Sequence, residues 1–138
     1  MSGSTDNADS INSADDSCPF CDLSDRIVIE SQLWVGIEDA FPVNVGHSLL
    51  IPRRHFASFR DITSEEFIDL YSIMQVAIKR FDNMYQPTGY NFGVNDGAVA
   101  GQTVFHVHFH IIPRYSGDTE NPRGGVRKVK TSLKPYNL

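Results

Sequence analysis

This chain has little cysteine, no long apolar run and no excess of positive charge, and each shortage narrows what it can be. Cysteine occurs only at Cys18 and Cys21, so thiol chemistry is confined to a single Cys-x-x-Cys pair. No apolar stretch reaches the length of a bilayer crossing, which excludes a membrane-spanning helix. The first seventeen residues lack both the basic stretch and the apolar core of a secretory leader. Rich in Ser, Asp and Asn, with one isolated Ile11, they are expected to form a disordered acidic tail ahead of one domain spanning residues 18–138, in a cytoplasmic protein. The net charge of −5 makes bulk nucleic-acid binding a poor fit. Only residues 113–138 reverse that sign, with six Lys and Arg against Asp118 and Glu120. Such a basic segment suits an anionic ligand, a partner chain or simple solvation. No internal repeat and no alternation of strands with helices is visible, which excludes a doubly wound parallel sheet.

What is present reads as strands around one helix. Ile27–Ile29 and Gln32–Ile37 predict a hairpin about Glu30-Ser31, and the loop 39–46 leads into a strand over His47–Ile51 that Pro52 stops. Thr63 and Glu66 form a capping box, with Ile62 and Phe67 as its hydrophobic staple. From there Phe67, Leu70, Tyr71, Met74, Ala77, Ile78 and Phe81 recur at helical spacing, predicting a helix over about 64–84 whose apolar stripe faces the core. Tyr71 and Tyr85 would suit either core or an interface. Gln86-Pro-Thr-Gly89 ends the helix, Tyr90–Val94 reads as a strand, and the loop 95–102 holds Gly97 and Gly101, which let backbone approach a ligand closely. The fold class is α+β, a mainly antiparallel sheet of about five strands with one long amphipathic helix.

The richest segment is His106-Val-His108-Phe-His110-Ile-Ile-Pro113. On a strand, two-residue spacing puts three imidazoles on one face and Val107, Phe109 and Ile111 on the other, with Pro113 as the end. A solvated face and a metal-chelating stripe are the plain readings. The sharper one is a reactive site, because such a face forfeits hydrophobic burial and imidazole performs nucleophilic and acid–base work near neutral pH. Cys18-Pro-Phe-Cys21 supplies half of a tetrahedral zinc site, a redox pair or two bare thiols.

Taken together, Asp39-Ala-Phe-Pro-Val-Asn-Val-Gly-His47, the Ile51-Pro-Arg-Arg-His55 run, Asn91-Phe-Gly-Val-Asn95-Asp-Gly and Gly101-Gln-Thr-Val-Phe-His-Val-His-Phe-His-Ile-Ile-Pro-Arg114 closely resemble the histidine-triad (HIT) nucleotide hydrolases. The resemblance covers about residues 18–125 and implies a fold and a set of roles. His108 would be the nucleophile at the α-phosphorus of a nucleotide, forming a covalent nucleotidyl-histidine that water hydrolyses. The backbone carbonyl of His106 would hold its tautomer, and His110 would contact a phosphate or leaving-group oxygen and supply a proton. Asp39 would accept from the ribose hydroxyls. Asn95, Gln102 and Thr103 would bind phosphate oxygens, Phe20, Phe41 and Leu49 would line the base pocket, and His47 would pack behind the site. In the branches with a leading Cys-x-x-Cys, Cys18, Cys21, His55 and His106 would hold a structural zinc ion. A homodimer is also implied.

The expected activity is hydrolysis of adenosine phosphoramidates or dinucleoside polyphosphates, releasing AMP. The alternatives are a nucleotide-binding or interaction module with incidental turnover, and removal of adenylate from nucleic-acid ends. The acidic charge and lack of an appended DNA-binding domain count against the last of these.

Overall fold

The computed structural model describes residues 17–130, so most of the expected acidic tail and the last basic residue, Lys134, lie outside the described residues. Five strands form one antiparallel sheet: β1 (Ile27–Glu30), β2 (Trp34–Glu38), β3 (Ser48–Pro52), β4 (Gly89–Val94) and β5 (Phe109–Arg114). Their order across the sheet is β1-β2-β3-β5-β4. One helix, α1 (Ser64–Tyr85), crosses one face. Among the described residues no helix is long and apolar enough to span a membrane.

Alternation along the strands separates two apolar clusters. Trp34, Leu50 and Ile111 point to the helix and meet Leu70, Ile73, Ala77 and Phe81. Leu49, Ile51, Val35 and Ile37 point the other way and pack with Leu23 under the N-terminal segment. The Trp34 indole N–H, fully buried, donates to the Glu66 carbonyl at 2.8 Å and ties β2 to the first turn of α1.

The helix begins where the sequence predicts. The Thr63 hydroxyl accepts from the Glu66 N–H and the Glu66 carboxylate accepts from the Thr63 N–H, a closed capping box. Its buried line differs in one respect: Glu66, Leu70, Ile73, Ala77 and Phe81 face inward, while Phe67 and Tyr71 stand exposed. Glu66 takes the inner position because Arg54 neutralises it with two hydrogen bonds of 2.8 and 3.1 Å, which makes burial of the carboxylate tolerable.

Two strand ends depart from expectation for reasons outside the local sequence. The hairpin turn occupies residues 31–33, not Glu30-Ser31, because Asp69 of α1 accepts from the Ser31 hydroxyl at 2.6 Å and the Leu33 N–H at 2.8 Å. Pro113 does not end β5, which continues to Arg114. Pro113 pairs with Tyr90 at a position whose carbonyl points away from β4, toward the Asn44 side chain, so its missing N–H costs the β4 ladder nothing.

Candidate functional site

The three histidines do not all lie on a strand. β5 pairs with β3 only through Ser48–Ile111, Leu49–His110 and Leu50–Phe109. Continuing that register would set Pro52 against Val107, where a ladder needs an N–H that proline lacks. The chain therefore leaves the ladder before Phe109, and Val107 N–H donates instead to the Phe56 carbonyl at 2.8 Å. This corrects the expectation of one strand over 106–112, and it is what gives the three imidazoles three environments.

His106 is fully buried, and its Nε2 lies 2.9 Å from the Pro52 carbonyl, which can only accept. The proton is thus on Nε2, and the Nδ1 lone pair points the other way. There it meets Cys18 Sγ at 3.5 Å, Cys21 Sγ at 3.6 Å and His55 Nδ1 at 3.1 Å. His55 Nδ1 lies 3.5 and 3.2 Å from the same two sulfurs. Burial holds His106 in the neutral form, its pKa lowered to about 4. All four ligand atoms lie within 4.8 Å of one another, so these residues could hold a metal ion. A tetrahedral zinc site, with bonds of about 2.3 Å to sulfur and 2.0–2.1 Å to nitrogen, has S···N edges of about 3.6 Å and an N···N edge of about 3.3 Å. The observed edges fit that figure, and the donor set, two cysteine sulfurs and two imidazole nitrogens, is one that zinc takes.

His108 is held by the same backbone from the other side. Its Nδ1 donates to the His106 carbonyl at 2.9 Å, which places the proton on Nδ1 and leaves Nε2 as a lone pair. Phe20 packs edge-on against the ring at 5.1 Å and His110 at 5.3 Å, fixing its orientation.

His110 ends a directed chain. The Val43 N–H donates to His47 Nδ1 at 3.0 Å, so a neutral His47 carries its proton on Nε2. That nitrogen faces His110 Nδ1 at 2.9 Å and Asp39 Oδ2 at 3.2 Å. His110 Nδ1 is then the acceptor, and its proton sits on Nε2. That Nε2 is buried and has no hydrogen-bond partner among the described residues. Burial, with the charges of His108 and His47, lowers the His110 pKa to about 4, and burial also lowers that of His47 against the opposing pull of Asp39. Both rings are neutral at pH 7, so His110 acts first as a hydrogen-bond donor.

The other expected residues divide. Asp39 caps its own loop, accepting the Phe41 N–H at 2.9 Å, while also touching His47. Phe41 is 87% exposed and belongs to no core, whereas Leu49 is buried in the cluster with Ile37 and Ile51. Asn95 and Thr103 are exposed on the loop between β4 and the histidines. Gln102 has protein partners throughout. Its Oε1 accepts from Gly97 N–H at 2.8 Å, and its Nε2 donates to the carbonyls of Ala57 at 2.8 Å and Val104 at 3.1 Å. Its own N–H goes to the Gly97 carbonyl at 3.1 Å. These bonds clamp the Gly97 turn to the His55 loop. Gly97 and Gly101 both adopt φ of 99°, a region that favours glycine, so this loop keeps its shape only with glycines there.

The groups that sequence reasoning missed are on the backbone, the Pro52 carbonyl and the Val43 N–H. Only the proline carried a signal, since a proline at a strand end frees its carbonyl for another partner.

Comparison with known proteins places relatives beside this fold. A family model described as the HIT domain matches residues 22–117. A bis(5′-adenosyl)-triphosphatase of Dictyostelium discoideum is 37% identical over 117 residues, covering 85% of this chain and 78% of that protein. A HIT family protein from Bacillus anthracis superposes with a TM-score of 0.70 at 33% identity, covering 76% of this chain and 78% of the other. A zinc-bound histidine triad family protein from Mycobacterium smegmatis gives a TM-score of 0.68 at 33% identity, covering 76% and 80%.

Proposed function

This chain belongs to the HIT domain family, and on that premise we propose that it is a nucleotide hydrolase that releases AMP from adenosine phosphoramidates or dinucleoside polyphosphates. The observation that carries the reading is the 2.9 Å hydrogen bond from His108 Nδ1 to the His106 carbonyl, which leaves Nε2 as the nucleophile. The Nε2 lone pair forms a bond to the α-phosphorus as the bond to the leaving group breaks and its electron pair departs with that group. The ring becomes cationic, and the His106 carbonyl stabilises the charge through Nδ1–H. Water then attacks the same phosphorus, the P–N bond breaks, its electrons return to Nε2, AMP leaves and the displaced water proton is released. Two displacements at an activated centre replace one harder attack by water.

His110 Nε2–H supports both steps by donating to a phosphate oxygen. Negative charge brought by substrate favours protonation of this ring, which then acts as an acid toward the leaving group. Asp39 takes the ribose hydroxyls, Phe20 and Phe41 flank the base over Leu49, and Asn95 and Thr103 reach phosphate oxygens. Cys18, Cys21, His55 and His106 would hold zinc. With four protein ligands such an ion would be structural, and these residues would then fix the segment that presents the His106 carbonyl to His108. The exposed Phe67, Ile68 and Tyr71 on the outer side of α1 support a homodimer through this face, which sedimentation equilibrium checks.

The test is AMP release from adenosine 5′-phosphoramidate and diadenosine polyphosphates by wild type and His108→Ala. We expect turnover by the first and none above background by the second, with the folded state and AMP binding retained. Equal turnover by both would overturn the reading.

A further inference from the structure

The carbonyl that orients His108 belongs to a peptide that is held at both ends. His106 C=O and Val107 N–H are the two halves of one planar peptide group, and they point in opposite directions. The carbonyl accepts from His108 Nδ1 at 2.9 Å, while the N–H donates to the Phe56 carbonyl at 2.8 Å. Val107 and Phe56 are both buried, which shields this second bond from water. Hydrogen bonds strung through one peptide polarise one another, so the bond at the N–H makes the carbonyl a better acceptor. Where the Phe56 carbonyl stands therefore sets both the position of the His106 carbonyl and its hold on His108.

Phe56 is fixed by a residue two positions before it. The Arg54 guanidinium lies over the Phe56 ring, 4.1 Å from the ring centroid. The same guanidinium donates to both oxygens of Glu66 at 2.8 and 3.1 Å and to the Asp61 carbonyl at 2.8 Å. Glu66 is fixed in turn: it is buried, its carboxylate accepts the Thr63 N–H at the start of α1, and its carbonyl accepts from Trp34. Burial alone would raise the Glu66 carboxyl, but the hydrogen bonds from Arg54 and Thr63 outweigh it and hold the group below its ordinary range, so the anchor keeps its charge. The adjacent arginine is a useful contrast. Arg53 donates to the Glu30 carboxylate and to the Ser31 and Gln32 carbonyls, which serves the hairpin turn and not Phe56.

We propose that Arg54 is a positioning residue for His108: clamped to Glu66 and laid on the Phe56 ring, it fixes the Phe56 carbonyl that holds the His106–Val107 peptide behind the nucleophile. The inference rests on His108 as the nucleophile and extends that reading to a residue that touches neither substrate nor ring. The covalent step is unchanged. As the His108 ring becomes cationic, its Nδ1–H draws harder on the His106 carbonyl, so a displaced peptide weakens the transition state more than it weakens bound substrate. The loss belongs in kcat and not in KM.

The test uses three variants of the full-length protein. Phe56→Leu removes the ring and keeps the Arg54–Glu66 pair. Arg54→Leu with Glu66→Gln removes the pair without leaving a buried carboxylate unpaired, and glutamine still closes the capping box. Arg53→Gln is the control. With adenosine 5′-phosphoramidate we expect kcat to fall at least about tenfold in the first two, with KM within about twofold of wild type, and neither to change in the control. In ¹⁵N-labelled protein below the melting temperature, the Val107 amide proton should move upfield and exchange faster in the first two variants. The His108 ring nitrogen signals should shift with it, and bound zinc should match wild type. A lowered Tm with kcat and these signals as in wild type would make the role one of stability alone and overturn the inference. Loss of zinc in step with loss of rate would also overturn it, since Arg54 would then act through His55. Should the double variant not fold, Phe56→Leu decides by the same signals. Absence of wild-type turnover would instead remove the hydrolase reading, and the Val107 and His108 signals would still decide whether Arg54 positions the ring.

Discussion

Two histidine clusters flank His108, and they are built to opposite ends. On one side His106, His55, Cys18 and Cys21 bring four ligand atoms to one point, with the His106 lone pair directed inward. On the other side His47 and His110 form a donor-to-acceptor chain that runs outward to a single N–H. Both clusters are built on a pair of imidazoles, but the backbone group that takes the first ring nitrogen differs. A carbonyl, at Pro52, accepts the Nε2 proton of His106 and leaves Nδ1 bare. An N–H, at Val43, takes Nδ1 of His47 and sends the proton onward. Which face of the peptide meets a ring thus sets which nitrogen each cluster leaves bare, and the Cys18–Cys21 pair on one side against Asp39 on the other adds to the contrast.

The largest expected effect falls on the metal side. Cys18→Ser with Cys21→Ser should reduce bound zinc from about one per chain to none and lower stability by at least about 3 kcal/mol, roughly 10 °C in Tm. Turnover should fall with it as the His106 carbonyl loses its position. Metal analysis and thermal unfolding check this, and an unchanged Tm in a zinc-free double variant would break the contrast.

Much of this site was legible in the sequence, and the losses have physical causes. The capping box at Thr63 and Glu66 and the period of α1 are local, so the helix bounds came out within a residue. The company of Cys18, Cys21, His55 and His106 was read from spacing and resemblance, and the four atoms do converge. The start of β5 was not legible, because it depends on Pro52, a residue remote in sequence whose missing N–H ends the ladder. The partners of Gln102 were not legible for the same kind of reason. Its amide is taken by Gly97, Ala57 and Val104, and the Ala57 contact spans 45 positions. The segment after β5 carries no periodic signal, and its shape comes from the Arg114–Asp118 hub.

The relay side should respond in rate more than in stability. His110→Asn removes the positioned Nε2–H, and we expect kcat to fall by about 10²–10⁴-fold with Tm shifted by less than about 3 °C. Steady-state kinetics beside a melting curve separate the two, and an equal loss in both quantities would merge the clusters the account keeps apart.

A smaller effect concerns pH. The folded pKa of His110, about 4, lies below the ordinary value of 6.5, so the unfolded chain binds more protons between them. The stability this ring contributes is complete above about pH 6.5 and is lost as pH falls toward and through 4. Wild type should therefore lose more Tm than His110→Asn over that interval. Parallel curves would remove the assignment of a buried neutral imidazole.

The most direct test of the central claim is the tautomer of each ring, read from long-range nitrogen–proton correlations in uniformly ¹⁵N-labelled protein at pH 7. We predict the proton on Nδ1 for His108 and on Nε2 for His47, His106 and His110. A proton on Nε2 of His108, or on Nδ1 of His110, would contradict the account.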